Sequence, residues 1–222
     1  MKDYINVLLE NPLFKGLSAA ECEYLLMELK ARKKRFKARE TVFLAGEPAR
    51  EIGIVLMGGV TISRGDAFGK KNIIAIVQRG SLFAEAFACA GVKELPVTVE
   101  AAENSIILLL NFRELLEDLK VKENIRQRVI ANMLRIISRK NIVLNNKLDL
   151  LARGSTRAKI WAYLTTQMQE SKSRKFNINM DRNDLADYLL VNRSALSREL
   201  SKMQTEGLIK YHKNTFEILK EV

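Results

Sequence analysis

The 222-residue chain reads as an α+β protein in three successive parts. These are an N-terminal antiparallel β-roll over residues 1–122, a long helix over 123–151 and a C-terminal winged helix-turn-helix over 152–222. Three observations predict this. Nine of the eleven glycines fall between Gly16 and Gly91, where they punctuate short apolar runs in the manner of many short strands. No glycine occurs from Val92 to Arg153, and the second half of that stretch carries apolar residues at alternating spacings of four and three. The C-terminal part holds two short amphipathic helices around a tight turn, followed by a hairpin pattern.

The N-terminal part opens with a helix entry at Asn11 to Ser18 and a helix from Ala19 to Leu29, with Leu25, Leu26 and Leu29 on its apolar side. Seven of the ten residues from Lys30 to Arg39 are Lys or Arg. Such a run is either a nucleic-acid patch or a solvated edge strand protected by charge, and the alternation leading into Thr41-Val42-Phe43-Leu44 favours the strand. Further apolar runs at 52–57, 60–64, 73–77, 97–101 and 105–110 are separated by Gly58-Gly59, Gly65, Gly69, Gly80 and Glu103-Asn104. They describe a many-stranded roll.

From Glu123 to Leu151 the pattern is that of one helix, roughly 43 Å long at the standard rise. Ile130, Leu134, Ile137, Asn141, Leu144, Leu148 and Leu151 form a heptad seam, which predicts a homodimer. The neighbouring row Val129, Met133, Ile136 and Val143 is expected to pack on the helix's own β-roll. Asn141 interrupts the seam: it either sets register between two copies or, with Asn145, faces an effector pocket. Arg153-Gly154 then breaks the pattern, marking a hinge at Leu151 to Ser155 before a helix from Thr156 to Glu170.

Asp181 is a good cap for the next helix, supported by Asp184 three residues on, and Leu185, Ala186 and Leu189 supply its buried stripe. Leu190 and Val191 carry the turn, and Asn192 caps a second helix whose Leu196, Leu200 and Met203 point inward. Arg193, Ser194, Ser197 and Arg198 are left on the free side near the N-terminal end, with Ser194 and Arg198 roughly 150° or more from the centre of that stripe. Arginine can donate two parallel hydrogen bonds to guanine, and short hydroxyls approach bases or phosphate without holding the helix away. Gly207 ends the helix. Leu208 to Tyr211, the turn Lys213-Asn214 and Phe216 to Leu219 make a hairpin.

The run LADYLLVNRSALSRELSKMQTEGLI resembles the C-terminal signature of the Crp-Fnr superfamily of bacterial transcription regulators. The resemblance implies that Arg198 contacts guanine, with Arg193, Ser194 and Ser197 beside it. Many members have glutamate at the position of Ser194 and glycine at that of Leu190. Ala45-Gly46-Glu47, Gly58-Gly59-Val60 and Gly80 to Glu85 match landmarks of the family's cyclic-nucleotide-binding-like double-stranded β-helix. In members that bind cyclic nucleotides, a glutamate takes the ribose hydroxyl and an arginine-serine pair holds the phosphate. Glu85 fits the first role, but Leu95-Pro96 stands at the second, without positive charge or hydroxyl, and proline has no backbone donor. Lys93 is the nearby cation. The expectation is a pocket near Phe83, Glu85, Phe87 and Pro96 that takes a small molecule other than cyclic AMP, or none. A cyclic-nucleotide regulator with a non-standard phosphate site is the alternative.

Thirty-seven Lys and Arg against 26 Asp and Glu give a formal charge of +11, which suits a polyanionic partner. Double-stranded DNA and a second copy of the chain are the partners expected, RNA polymerase is one the resemblance allows, and no membrane partner is expected. Met1 to Glu10 has no signal-peptide pattern, so the location expected is the cytoplasm. Cys22 and Cys89 are the only cysteines and His212 the only histidine. No metal site, four-thiolate iron-sulfur cluster or histidine-ligated haem is therefore expected. No nucleophile elbow or phosphate-binding loop suggests an enzyme. A regulatory subunit that senses a ligand and acts through a protein partner is the other class, but it has no need of exposed arginines on a winged helix.

Overall fold

The computed structural model describes residues 4–65, 71–117 and 121–220. The turn expected at Gly69 lies outside them. The chain forms two compact units, Met1–Arg139 and Lys140–Val222. The division falls within the long helix.

The first unit opens with α1 (Ile5–Glu10), a 3₁₀ turn at Pro12–Phe14 and α2 (Ala19–Glu28). Ser18 and Glu21 close a capping box, which fixes where α2 starts. Eight strands follow: β1 (Arg32–Phe36), β2 (Thr41–Phe43), β3 (Ile52–Met57), β4 (Gly59–Gly65), β5 (Lys71–Gln78), β6 (Leu82–Phe83), β7 (Thr98–Ala101) and β8 (Ser105–Leu110). They pair antiparallel in two four-stranded sheets, ordered β1-β8-β3-β6 and β2-β7-β4-β5. This is the expected β-roll. The basic run is an edge strand: β1 pairs only with β8, and its first four residues are exposed. Arg32 is held there by Glu51 and Lys33 lies over the Tyr4 ring.

Strands β3 and β8 are buried on both faces, which is why they read as unbroken apolar runs. Ile52, Ile54, Leu56, Ile106, Leu108 and Leu110 face a core shared with α1, α2 and the start of the long helix. Val55, Ile107 and Leu109 face the other way, into a core with Phe36, Phe43, Phe83, Leu95 and Val99 that fills the space between the sheets. Two short helices, α3 (Glu85–Ala90) and α4 (Phe112–Glu117), complete the roll before α5 (Glu123–Leu151).

Along α5, Val129 and Met133 are buried and Ile136 half-buried against the first core, as the sequence pattern requires, but Val143 is 68% exposed. A polar anchor escaped the pattern. Asn132 is buried, donating to the carbonyls of Leu13 (3.0 Å) and Lys15 (2.9 Å). Of the seam residues, Ile130 and Ile137 are half-buried against the same core, whereas Leu134, Leu144 and Leu148 are 65%, 56% and 54% exposed. Asn141 is exposed and accepts a hydrogen bond from Asn145 Nδ2 at 2.9 Å.

The second unit adds α6 (Thr156–Ser171), β9 (Lys175–Asn177), α7 (Arg182–Leu189), α8 (Arg193–Thr205), β10 (Ile209–His212) and β11 (Thr215–Ile218). The wing is a three-stranded antiparallel sheet, ordered β10-β11-β9, so the expected hairpin gains a strand. Among the described residues, no helix is long and apolar enough to cross a membrane.

Candidate nucleic-acid interface

Asp181 caps α7 through the backbone N–H groups of Asn183 (2.7 Å) and Asp184 (2.9 Å), and Asp184 returns the bond to the Asp181 N–H. The turn that follows puts Leu190 at φ +49°, ψ 54°, the left-handed region, with its side chain 69% exposed. Glycine enters that region without the steric cost of a Cβ. Here the backbone of a leucine carries it.

Asn192 caps α8 by accepting from the Ser194 N–H at 2.9 Å. Leu196, Leu200 and Met203 are fully buried against α6, α7 and the wing. Arg193, Ser194, Ser197 and Arg198 are all exposed. One detail differs from the expectation: Ser194 Oγ donates to Asn192 Oδ1 at 2.6 Å, so its hydroxyl hydrogen is engaged by the cap. The hydroxyl of Ser197 is not used in this way among the described residues.

The charges on α8 are sorted by side. Glu199 of α8 and Glu206 at its C-cap both pair with Arg157 of α6, and this pairing holds Glu206 below the usual carboxylate range. Arg193 and Arg198 have no carboxylate or hydrogen-bond partner among the described residues. The face they share is therefore cationic and open.

Sequence reading missed the residues that brace this helix. Arg182 at the start of α7 lies over the rings of Tyr211 (5.1 Å) and Phe216 (5.0 Å) and donates to the Lys213 carbonyl at 2.6 Å, joining helix and wing. Burial lowers its pKa, and its Nη1 is buried without an acceptor. Lys147 of α5 donates to the Tyr188 carbonyl and Lys159 of α6 to that of Leu189 (3.3 Å), two cations at the C-terminal end of α7 where the helix dipole favours them. Only the capping residues had a local signal. Arg157 meets glutamates more than forty positions away.

The residues expected around an effector occupy different surroundings. Phe83 is buried in the inter-sheet core, 5.7 Å from Phe43, with its ring against Gly53, where a Cβ would collide with it. It fills space as much as it lines any. Glu85 is buried in the first turn of α3 and Phe87 is half-buried, while Lys93 and Pro96 are exposed. Leu95, and not Pro96, turns into the core. Burial and Glu85 push the thiol of Cys89 up to about 11, and burial pushes that of Cys22 up to about 12. Among the described residues, no group of three or more His, Cys, Asp or Glu could hold a metal ion.

The cyclic nucleotide-binding domain model matches residues 33–120, and the Crp-like helix-turn-helix domain model matches residues 158–221. The chain is 24% identical over 184 residues to the fumarate nitrate reduction regulatory protein of Klebsiella oxytoca, covering 80% of this chain and 71% of that protein. This chain belongs to the Crp-Fnr family. Its fold is that of other Crp-Fnr proteins. The catabolite activator protein of Thermus thermophilus aligns at a TM-score of 0.55 and 22% identity, over 94% of this chain and 93% of that one. DNR of Pseudomonas aeruginosa aligns at a TM-score of 0.53 and 20% identity, over 100% and 96%. Crp-Fnr proteins are DNA-binding transcription regulators, and the helix that carries Arg193 and Arg198 lies within the matched helix-turn-helix.

Proposed function

We propose that the chain is a cytoplasmic, sequence-specific transcription regulator that binds a roughly palindromic operator as a homodimer, under the control of a small effector other than cyclic AMP. The sorting of charge on α8 carries the reading. Its acids are drawn to Arg157, while Arg193 and Arg198 stay free at the end that enters a major groove in helix-turn-helix complexes. Arg198, Arg193 and Ser197 read base edges. Ser194, with its hydrogen on Asn192, is left to accept.

Two such helices related by a two-fold axis enter successive major grooves about 34 Å apart, which makes the operator a near-palindrome. The exposed leucines of α5 support the dimer. Support for an effector other than cyclic AMP comes from Leu95-Pro96, where an apolar side chain and a proline stand in place of a counter-charge for a buried cyclic phosphate. The protein acts by binding and not by catalysis, and RNA polymerase is the partner through which it alters transcription. An iron-sulfur cluster held by four thiolates does not fit a chain with two cysteines.

Arg193→Ala and Arg198→Ala test the reading in operator-binding titrations. Each removes a base contact worth about 1–3 kcal/mol, so operator affinity falls roughly 5- to 150-fold while binding to random DNA changes far less. A double variant that keeps operator affinity and dimerises contradicts it.

A further inference from the structure

The core between the two sheets ends in a cleft of ≈ 680 Å³. Its floor is apolar: Phe43, Leu95 and Leu109 line it, and all three belong to the inter-sheet core. Its rim is not. Strand residues alternate between faces, so Lys34 and Arg32 stand on the same face of β1 as the buried Phe36. That face changes from phenylalanine to two cations where the core stops, and Arg50 adds a third from residues 44–51.

The charges do not cancel. Glu51 accepts from Arg32 through both oxygens, at 2.8 and 2.9 Å, so that pair is neutral. Glu47, the other acid in the lining, accepts from the Leu44 N–H at 3.2 Å and serves its own turn. Lys34 and Arg50 have no carboxylate among the described residues. The wall carrying Arg50 is also fixed in place. Gly46 N–H donates to the Leu95 carbonyl (2.9 Å), Leu95 N–H donates to the Glu47 carbonyl (2.8 Å), and Pro48 bridges to Glu94. Asn111 lines the same cleft, and its Oδ1 is buried without a hydrogen-bond partner, which is unusual in a folded protein.

We propose that this cleft is a binding site for an organic anion with an apolar body. The anionic group sits between Lys34 and Arg50, and the body lies on Leu95, Leu109 and Phe43. The site reaches Leu95 from the side of β1, and so differs from the surroundings of Glu85. Binding here stands apart from DNA recognition; that the bound anion is the regulator's effector rests on the proposed function.

The test uses the full chain and the fluorescent aromatic sulfonate 8-anilinonaphthalene-1-sulfonate. One saturable site is expected. Its affinity drops at least tenfold in Lys34→Glu with Arg50→Glu, and less than twofold in Lys33→Glu with Arg35→Glu, which reverses the same charge on the opposite face of β1. Leu95→Trp, which fills the floor, also weakens it. N-phenyl-1-naphthylamine, the same body without the sulfonate, binds at least tenfold more weakly. No saturable site, equal binding of the two dyes, or equal loss in both charge-reversal pairs overturns the proposal. Circular dichroism of each variant excludes unfolding as the cause, and operator retention measured separately shows whether the regulator reading stands or falls on its own.

Discussion

Leu144→Glu should dissolve the proposed homodimer. Leu134, Leu144 and Leu148 are 65%, 56% and 54% exposed in the single chain. Burying a leucine fully contributes about 1.5–3 kcal/mol, so each of these has about 1–1.5 kcal/mol left to gain. Six leucines in a two-fold pair offer about 6–9 kcal/mol before the cost of association. The substitution removes two of the six, and it sets two carboxylates facing each other in a surface that excludes water. A total loss of about 4 kcal/mol or more raises the dimer dissociation constant at least about a thousandfold. Sedimentation equilibrium at micromolar concentration reads this directly, with Arg139→Glu, off the leucine row, as the matched control. Wild-type protein that sediments as a monomer, or a Leu144→Glu dimer as tight as wild type, rules out a dimer held by this leucine row.

Other outcomes follow from the same geometry. Leu190→Gly relieves a left-handed leucine that costs about 1–2 kcal/mol, offset by about 0.5–1 kcal/mol of glycine chain entropy. Urea unfolding should show a gain of about 0.5–1 kcal/mol for Leu190→Gly and a loss for the β-branched Leu190→Val, and a glycine variant less stable than wild type contradicts the turn described. Both thiols should resist alkylation. With Cys89 near 11 and Cys22 near 12, thiolate is scarce at pH 8, so each reacts about a hundredfold or more slower than an ordinary thiol. Because the pKa values are raised, reactivity should still be climbing at pH 10, and a plateau near pH 9 in an iodoacetamide series argues against it.

Much of this architecture is legible in the sequence where periodicity and capping speak. Strands β3 and β8 are bounded as their apolar runs suggest, because burial on both faces keeps them apolar apart from Ser105 at the start of β8, whose hydroxyl is bonded to the Gly59 backbone. The caps Asp181 and Asn192 mark α7 and α8 to the residue, since a side chain that satisfies a helix terminus has few substitutes. Short elements are less visible. β6 has two residues, β9 three and α3 six, too few for a period to register.

The candidate interface divides along the same line. Exposure of Arg198 follows from where Leu196, Leu200 and Met203 must point, and that of Arg193 from its place as the first residue of α8. What keeps those arginines free does not, because Arg157 reaches Glu199 and Glu206 only after the helices have packed. The rim of the cleft is similar. Lys34 and Arg50 are sixteen positions apart, and only the antiparallel pairing of the roll brings both to the cleft that Leu95 lines. Leu190 is the reverse case, for the sequence raises the question of positive φ and the backbone answers it.

Sequence-specific DNA binding is tested by titrating the purified protein against the DNA upstream of its own gene and against random DNA across a range of salt. Specific retention is expected, with affinity falling steeply as salt rises, each neutralised phosphate adding about 0.9 to the logarithmic slope. Equal affinity for both DNAs at every salt concentration, with and without added organic anions, contradicts it.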